Sequence, residues 1–330
     1  MIIRPAVEKD IPGIVELLKM TLGEDATVKS ENYWNWKHVE NPFGPSPVIL
    51  GFEGGQLVGI RAFMRWKWKR SGKIYEAVRA VDTATHPDHQ GKGIFSKLTR
   101  ALLQECQDKK WDFVFNTPNK ASKPGYIKMG WTEAGRLPVT LNVDRPVQMV
   151  ARLAGLTTTE PAPATNEAEM NRYLSHPGLE NLLQANEQHY KDFMFTDHST
   201  KTLAWRYRSV TVKQYFAAAL EIGNAMPALV FYRIKPGRAG TELRVTDVFA
   251  EDAKWKRDID DLIRTRVKMH HAHFVTFSDM NEWISRRKFF RINGLPIGPI
   301  VTVRNISGPY YEVLQNFAFW RPSMGDLELF

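Results

Sequence analysis

The spacing of apolar and polar residues in the first part of the chain predicts a strand, two helices and a three-stranded meander, in that order. "MIIRP" predicts a short strand, and apolar side chains at helical spacing predict a helix over Asp10 to Met20. Ser30 is placed to cap a second helix in "ENYWNWKH". Three β-rich stretches separated by turn residues, "VILGFE", "LVGIRAFMRWKWKR" and "IYEAVRAVDTAT", predict the antiparallel meander.

The pattern changes to helical spacing after the meander. It predicts a helix over Gly93 to Lys109, followed by the apolar strand "WDFVFN". A strand, helix, strand crossover favours parallel pairing of the two strands. A short helix should end at Gly130, and "WTEAGRLPVTLNV" supplies one or two last strands.

The second half repeats this order of elements weakly. "LAWRYR" corresponds to "YWNWKH", Asp247 falls where Asp82 did, and "NEWISRRKFFRINGL" is predicted as a helix with Gly294 in the place of Gly130. We interpret the pattern as a duplicated α/β fold, with chance similarity of two α/β patterns as the alternative. The Pro-containing stretch "TTTEPAPATNEAE" predicts a linker, so the expected division is 1–145, a linker over 146–170, and 171–330.

Composition narrows the class of protein. The chain has 330 residues and a formal net charge of +9, which favours anionic partners such as nucleic acid, a membrane surface or a phosphorylated small molecule. A single cysteine, Cys106, excludes a disulfide framework within one chain and fits a reducing cytoplasm. No apolar run approaches the length of a membrane span, and no signal peptide is evident, so we expect a cytoplasmic protein without a membrane partner.

The stretch "THPDHQGKGIFSKL" enters its helix through two glycines. A helix N-terminus exposes unpaired N–H groups and a partial positive charge, and glycine lets an anion approach closely. Two phosphate loops do not fit, because a Walker loop needs Ser or Thr after its Gly-Lys pair and a dinucleotide fingerprint needs a glycine where Ser96 stands. The turn after Ala250, "EDAKWKRD", has no glycine, so the loop occurs once in the chain.

Gln90-x-x-Gly93, preceded by a long antiparallel strand, resembles the acyl-CoA pyrophosphate loop of the GNAT acyltransferase superfamily. Phe95 departs from that pattern, which has Gly or Ala at its position. "NKASKPGYIKMGW" resembles a later segment of the superfamily, in which Asn, a small residue and Tyr precede Lys-x-Gly-aromatic. The resemblance covers Met1 to Val143 with specific motifs; over the second half it is a pattern only, as in tandem relatives whose second copy has lost the loop.

The resemblance implies two tandem GNAT-like folds, each a mixed, mostly antiparallel twisted sheet flanked by helices, with acetyl-CoA as co-substrate. It places Tyr126 as the general acid that protonates the departing thiolate. The implied cofactor-binding residues are Thr83 and Thr85 on the strand, Gln90, Gly91, Lys92, Gly93, Ile94, Phe95 and Ser96 in the loop, and Asn119 and Ser122, for which a plain helix cap is the alternative.

An amine acceptor needs a base that removes its proton, and the sequence identifies this base less clearly than it identifies the glycine loop. Asp82 is the preferred candidate; Glu76, on the same strand face by parity, His86 and the terminal carboxylate of Phe330 are less favoured candidates. "HHAH" at 270–273 has no carboxylate or cysteine companion, so no metal is predicted.

The sequence therefore predicts an N-acyltransferase whose first half binds the cofactor and whose second half completes an acceptor pocket or an interface. A non-catalytic acyl-CoA sensor or interaction module is the alternative. Binding of nucleic acid through "RWKWKR" is a weaker one, since Trp66 and Trp68 also fit core packing. The acceptor, expected to be a small-molecule amine, and the oligomeric state are left open.

Overall fold

The computed structural model describes residues 1–24, 27–155, 167–285, 290–295 and 297–327. The helices are α1 Ile11–Leu22, α2 Glu31–His38, α3 Ile94–Asp108, α4 Lys123–Lys128, α5 Pro146–Leu153, α6 Glu167–Leu174, α7 Leu179–Tyr190, α8 Thr200–Leu203, α9 Lys256–Met269, α10 Tyr311–Gln315 and α11 Met324–Leu327. The strands are β1 Ile2–Pro5, β2 Val48–Glu53, β3 Gln56–Arg70, β4 Lys73–Thr85, β5 Phe113–Asn116, β6 Thr132–Arg136, β7 Val139–Val143, β8 Phe195–Thr196, β9 Phe216–Ile222, β10 Ala225–Gly237, β11 Gly240–Ala250, β12 Phe274–Ser278, β13 Phe290–Leu295 and β14 Ile300–Asn305.

The described strands form two mixed sheets. In the first sheet the order is β1-β2-β3-β4-β5-β14-β6, and β8 pairs with β3. In the second sheet the order is β13-β7-β12-β11-β10-β9. Each sheet has one parallel pair, β4 with β5 and β11 with β12, and each of these pairs is joined by a crossover helix, α3 or α9. The predicted fold class, two mostly antiparallel α/β sheets flanked by helices, is confirmed.

The two halves exchange their last strands. β7 lies between β12 and β13 of the second sheet, whereas β14 lies between β5 and β6 of the first. The sheets therefore do not follow the predicted boundary at residue 145, which stays a prediction about domains. Of the predicted linker, residues 146–153 form α5, 167–170 begin α6, and 156–166 lie outside the described residues.

The halves also share a core and a pair of reciprocal contacts. One buried apolar cluster, here the central core, joins residues of the first half, among them Trp66, Trp68 and Phe115, to Trp205 and Trp320 of the second. Trp36 on α2 and Trp205 stack at 4.8 Å between ring centroids. Each indole N–H donates to the other residue's backbone carbonyl, at 2.9 and 2.8 Å. The reciprocal contacts are those expected of two halves related by an approximate two-fold axis. Trp66 and Trp68 of "RWKWKR" belong to the central core.

Most elements lie where the hydrophobic pattern predicts them, and Ser30 caps α2 by accepting the N–H of Tyr33 at 3.1 Å. The helix predicted over "NEWISRRKFFRINGL" is wrong, because residues 281–285 are not helical and residues 290–295 form β13; residues 286–289 lie outside the described part of the chain. Gly294 therefore lies in a strand, whereas Gly130 follows the end of α4 and has a φ of 88°, so the two glycines do not correspond. Among the described residues, no helix combines the length and apolarity needed to cross a membrane.

Candidate active site

The glycine loop connects the end of β4 to the start of α3. A short 3-10 turn, Pro87–His89, leads into Gly91 and Gly93, which have φ values of 75° and 73°. Both glycines are in the left-handed region, where a side chain is strained, and no atom lies within 4 Å of a Cβ built on either. Among the described residues, no backbone carbonyl accepts the N–H groups of residues 91–96. The loop therefore offers open N–H groups at a helix N-terminus, as an anion site requires.

The side chains of the loop have different surroundings. Ile94 is buried and packs on β3 at Gly59, where an added Cβ would lie 2.6 Å from Ile94 Cγ2. Gln90 and Lys92 are exposed; the Gln90 amide reaches the Thr85 carbonyl at 3.5 Å, and Lys92 Nζ lies 3.4 Å from His89 Nδ1. Ser96 is half-buried in the first turn of α3. The close contact of α3 with β3 thus fixes the loop beside the first sheet.

β4 and β5 separate beside this loop. Their parallel pairing covers only Ala77–Arg79 against Phe113–Phe115. β4 continues to Thr85, whereas Asn116 of β5 pairs with Thr302 of β14. Thr83 and Thr85 pair with β3 on their other side, opposite Arg61 and Gly59. Within the described part of the chain, the edge of β4 that faces β5 thus has no strand partner at either threonine, so its backbone groups are not used in the sheet on that side.

Asp82 lies at a β-bulge, with a φ of 36°. Its carboxylate contacts Lys37 Nζ at 2.6 Å and His38 Nε2 at 2.8 Å, both on α2. Burial alone would raise the pKa of Asp82, but the charge of Lys37 and the hydrogen bond with His38 hold that pKa well below its usual range. A carboxylate so stabilised is a weak base at neutral pH, so the role of Asp82 stays a prediction.

The bulge also overturns a prediction about Glu76. Strand parity placed Glu76 on the same face as Asp82, but Asp82 is itself the extra residue of the bulge, since Val81 pairs with Ala62 and Thr83 with Arg61. Glu76 pairs with Arg65 and, at 2.9 Å, with Lys67, both on β3. Among the described residues, none of its ion-pair partners is shared with Asp82. Of the remaining candidate bases, His86 lies at the loop entry 3.1 Å from the Gln56 amide, and Phe330 lies outside the described residues.

Tyr126 lies on α4 with its ring buried under α3. Its hydroxyl oxygen accepts a hydrogen bond of 2.9 Å from Arg61 Nη2. The ring packs edge-on against Phe95 at 5.6 Å and Trp131 at 5.2 Å between centroids. Phe95 fills the space over Gly125, where an added Cβ would lie 3.3 Å from Phe95 Cε1. The unusual Phe95 is thus matched by a glycine next to the tyrosine, and the loop and Tyr126 form one packed unit.

Asn119 and Ser122 form a hydrogen-bonded turn before α4. The Asn119 side-chain oxygen accepts the N–H of Ser122 at 2.8 Å, and the Ser122 hydroxyl lies 3.5 Å from the Asn119 carbonyl. The Ser122 side chain makes no capping hydrogen bond to α4, so the helix cap that the sequence allowed is not formed at Ser122, and cofactor binding by Asn119 and Ser122 stays a prediction.

Sequence reasoning missed two fully buried arginines of the first sheet. Arg61 is fully buried beside Tyr126. Arg79 donates to the carbonyls of Asp326 and Leu327, each at 2.6 Å, and so ties the last described helix to β4 next to its separation from β5. A signal existed, because Arg61 interrupts the apolar run "LVGIRAFM". Its meaning depends on Tyr126, which lies far away in the chain.

A histidine and two aspartates meet between the halves. One ligand atom each of His198, Asp247 and Asp326 lies within 4.8 Å of the others. Burial, and next the neighbouring charge of Asp326, raise the pKa of Asp247 well above its usual value. The Asp247 carboxyl accepts the Tyr207 hydroxyl, and that of Asp326 accepts Thr196 at 2.7 Å. Each of the two carboxyl groups thus has a hydroxyl donor.

The histidines of "HHAH" point to separate partners. His270 Nε2 lies 3.0 Å from the Tyr232 hydroxyl, and His273 Nδ1 accepts the N–H of Thr241 at 3.0 Å. His270 and His273 thus contact residues on different strands, β10 and β11.

Comparison with known proteins supports this picture of the first half. Residues 2–134 match the family described as "Acetyltransferase (GNAT) domain". The chain is 32% identical over 114 residues to the L-amino acid N-acyltransferase MnaT of Escherichia coli (strain K12). This alignment covers 33% of this chain and 64% of that protein, so the chain spans just under two thirds of that relative's length. It is 28% identical over 147 residues to the L-methionine sulfoximine/L-methionine sulfone acetyltransferase of Salmonella typhimurium (strain LT2), covering 42% of this chain and 84% of that protein.

The likeness in fold extends to both halves. A GCN5-related N-acetyltransferase from Anabaena variabilis superposes with a TM-score of 0.64 at 13% identity, covering 93% of this chain and 73% of that structure. At this identity the superposition speaks for the fold alone. Residues 2–134 thus match the GNAT acetyltransferase domain in sequence, and the superposition shows that both halves share the fold of a GCN5-related N-acetyltransferase.

Proposed function

We propose that the protein is an acyl-CoA-dependent N-acyltransferase that transfers an acetyl group from acetyl-CoA to an amine of a small molecule in the cytoplasm. The observation that carries this proposal is the glycine loop, whose N–H groups lie open at the start of α3 beside the free edge of β4. The loop would hold the pyrophosphate, and the backbones of Thr83 and Thr85 would pair with the pantetheine arm. The buried single thiol, Cys106, fits a reducing compartment.

The reaction needs no acyl-enzyme. The neutral amine attacks the thioester carbonyl, and the tetrahedral intermediate collapses with the electron pair of the C–S bond passing to sulfur. Tyr126 gives its proton to this sulfur, and CoA leaves as a thiol. A positioned acid of this kind contributes about 10²–10⁴-fold. Asp82 is the proposed base, acting after its pair with Lys37 loosens.

The two curated relatives suggest the first acceptors to try. One is named for L-amino acids and the other for L-methionine sulfoximine and L-methionine sulfone. We therefore propose amino-acid-like amines as the acceptor class, since these molecules share an amine beside a carboxylate.

A non-catalytic acyl-CoA sensor is the second candidate, and one observation favours it. Both residues proposed for catalysis are engaged, Tyr126 with Arg61 and Asp82 with Lys37 and His38. A sensor retains the loop, binds acetyl-CoA equally well after Tyr126→Phe, and releases no thiol with any amine.

Isothermal titration of acetyl-CoA into the wild-type protein and into Gly93→Trp tests the loop. Ala253→Trp, in the corresponding turn of the second half, is the matched control. We expect binding to wild type and to Ala253→Trp, and none to Gly93→Trp. Failure of the wild-type protein to bind would overturn both candidates.

A screen of amino acids for CoA thiol release then separates the enzyme from the sensor. Release by the wild-type protein that falls at least about 100-fold in Tyr126→Phe supports the enzyme and its acid.

A further inference from the structure

The guanidinium of Arg61 is buried in the first sheet with one hydrogen-bond partner among the described residues. The side chain of Arg61 has no exposed surface, and Nη2 donates to the Tyr126 hydroxyl oxygen at 2.9 Å. Its Nε and Nη1 are buried without a partner. The guanidinium carbon lies 4.8 Å from the ring centre of Phe63 and 5.4 Å from that of Phe95. Within the described chain, no carboxylate pairs with this charge.

A buried charge without a counter-ion is costly, and aromatic faces compensate it only in part. Replacing such a residue by an apolar one should stabilise a protein that needs only the packing. Arg61 therefore points to a negative charge that forms beside it at some stage of function. The Tyr126 oxygen, its one polar contact, is where such a charge can form.

The second half supports this interpretation by contrast. Arg61 on β3 and Phe231 on β10 occupy corresponding positions in the two sheets. Each lies on the strand that pairs with the bulged strand, Arg61 opposite Thr83 on β4 and Phe231 opposite Asp247 on β11. Phe231 stacks on Tyr207 at 4.1 Å between ring centroids. The half without a glycine loop thus has an aromatic ring where the half with the loop has a cation.

We propose that Arg61 is a positioning residue for proton transfer from Tyr126, holding the hydroxyl oxygen and compensating the negative charge that the oxygen gains in the step. The C–S bond of the tetrahedral intermediate breaks, and its electron pair passes to sulfur. The Tyr126 O–H bond breaks, its proton passes to that sulfur, and the oxygen keeps the electron pair beside the guanidinium. Asp82 takes the proton that the ammonium loses before attack, and the second proton, which the nitrogen loses after attack, returns to the Tyr126 oxygen through water. This inference rests on the proposed acyltransferase function.

A double-mutant cycle between Arg61→Met and Tyr126→Phe tests the proposal through steady-state thiol release. We expect Arg61→Met to lower kcat about 10- to 100-fold, the worth of one hydrogen bond to a charged group, with the KM for acetyl-CoA within about three-fold of wild type. In the Tyr126→Phe background the same change should alter kcat by less than about two-fold, because residues that act as a unit are not additive. Arg61→Lys should recover part of the loss, since it keeps the charge.

Arg65→Met is the matched control, because Arg65 is a buried arginine of the same strand that pairs with Glu76 away from Tyr126. We expect Arg65→Met to change stability and to leave kcat within about two-fold of wild type. Equal losses of kcat for Arg61→Met in both backgrounds, or a lysine variant no better than the methionine variant, would overturn the positioning role.

Two further outcomes also decide the proposal. If Arg61→Met does not fold, the double-mutant cycle is measured with Arg61→Lys and Tyr126→Phe instead. A loss of kcat only in the protein that keeps Tyr126 supports the proposal, and an equal loss in both backgrounds overturns it. Absence of thiol release by the wild-type protein with every amine would overturn the acyltransferase proposal and this one together. An active wild type with an additive cycle overturns this one alone.

Discussion

The two halves of the molecule pass from a long strand to a helix at the same point of their fold, but with different turns. In the first half, Gly91 and Gly93 take φ values of 75° and 73° before α3 begins. In the second half, a 3-10 turn at Ala253–Trp255 leads directly into α9. There the Asp252 carboxylate accepts the N–H of Lys254 at 2.7 Å. A carboxylate therefore stands where an incoming anion would need a free donor.

This difference shows that the fold and the anion site can be separated. Both halves keep the bulged strand, the crossover helix and the exchanged last strand. The first has the two left-handed glycines and Arg61 under its loop, whereas the second has the Asp252 turn and Phe231 at the position of Arg61. The second half instead contributes to the central core and supplies β14 to the first sheet. Its structural role thus explains why the fold persists without the loop.

The largest effect is expected when the halves are separated. Residues 1–145 alone lack β14, so β5 and β6 lose their shared neighbour, and Trp66, Trp68 and Phe115 lose the second half of the central core. We expect this fragment to aggregate or to unfold without cooperativity, because a large apolar face becomes exposed. Thermal unfolding and size-exclusion chromatography of the fragment make the measurement.

Co-expression with residues 146–330 is the control and should restore a cooperative transition. A soluble fragment that unfolds cooperatively alone and binds acetyl-CoA would contradict the shared core and support an independent first domain.

The next effect tests the symmetry between the halves. Trp36→Ala and Trp205→Ala each remove one ring of the stacked pair and its reciprocal hydrogen bond. We expect each to lower the free energy of unfolding by about 3–5 kcal/mol, and the two losses to be similar. Denaturant unfolding measures them, with Ile222→Ala at an exposed strand position as the control. A loss in one variant only would show that the two halves do not depend equally on the contact.

The sequence predicted local structure and the loop well, for physical reasons. Turn residues, strand alternation and the positions of Gly91 and Gly93 are local signals, and the structure follows them. Three features depend on distant parts of the chain and were missed or misjudged: the exchange of β7 and β14, the contact of Arg61 with Tyr126, and the bulge at Asp82. A bulge shifts every later residue of a strand to the opposite face, so parity alone could not place Asp82 relative to Glu76.

A smaller effect separates Asp82 from Asp247. The predicted match of these two aspartates is wrong by one residue, because Asp82 is the bulged residue of β4, whereas Asp247 follows the bulge of β11 at the position that Thr83 has in β4. Asp82→Asn leaves the charge of buried Lys37 without its counter-ion, so we expect a loss of about 3 kcal/mol in the free energy of unfolding at pH 7. Asp247→Asn should change it by less than about 1 kcal/mol, because the amide oxygen can still accept the Tyr207 hydroxyl. Urea unfolding of both variants and the wild type makes the comparison.

The pH dependence of the two should run in opposite directions. The pKa of Asp82 is lowered by folding, so its contribution is present above about pH 4 and is lost as the pH falls toward the lowered value. The pKa of Asp247 is raised by folding, so the folded state holds a proton that the unfolded chain releases, and stability declines as the pH rises above about 4. The difference between wild type and Asp82→Asn should therefore shrink in acid. A constant difference from pH 3 to pH 7 would contradict the ion pair.

The smallest effect concerns the lysines of the two turns. Lys92 is exposed in the glycine loop, and Lys254 is exposed in the turn of the second half. If Lys92 only adds charge to the rim of the anion site, Lys92→Ala should weaken acetyl-CoA binding by about two- to five-fold, since an exposed ion pair contributes about 0.2–1 kcal/mol. This loss should fade as salt is added, because exposed charges are screened. Lys254→Ala should leave binding unchanged at every salt concentration. A loss larger than about 30-fold for Lys92→Ala, independent of salt, would mean that the lysine contacts a phosphate directly in a site closed to solvent, and that the backbone N–H groups do not suffice to hold the anion.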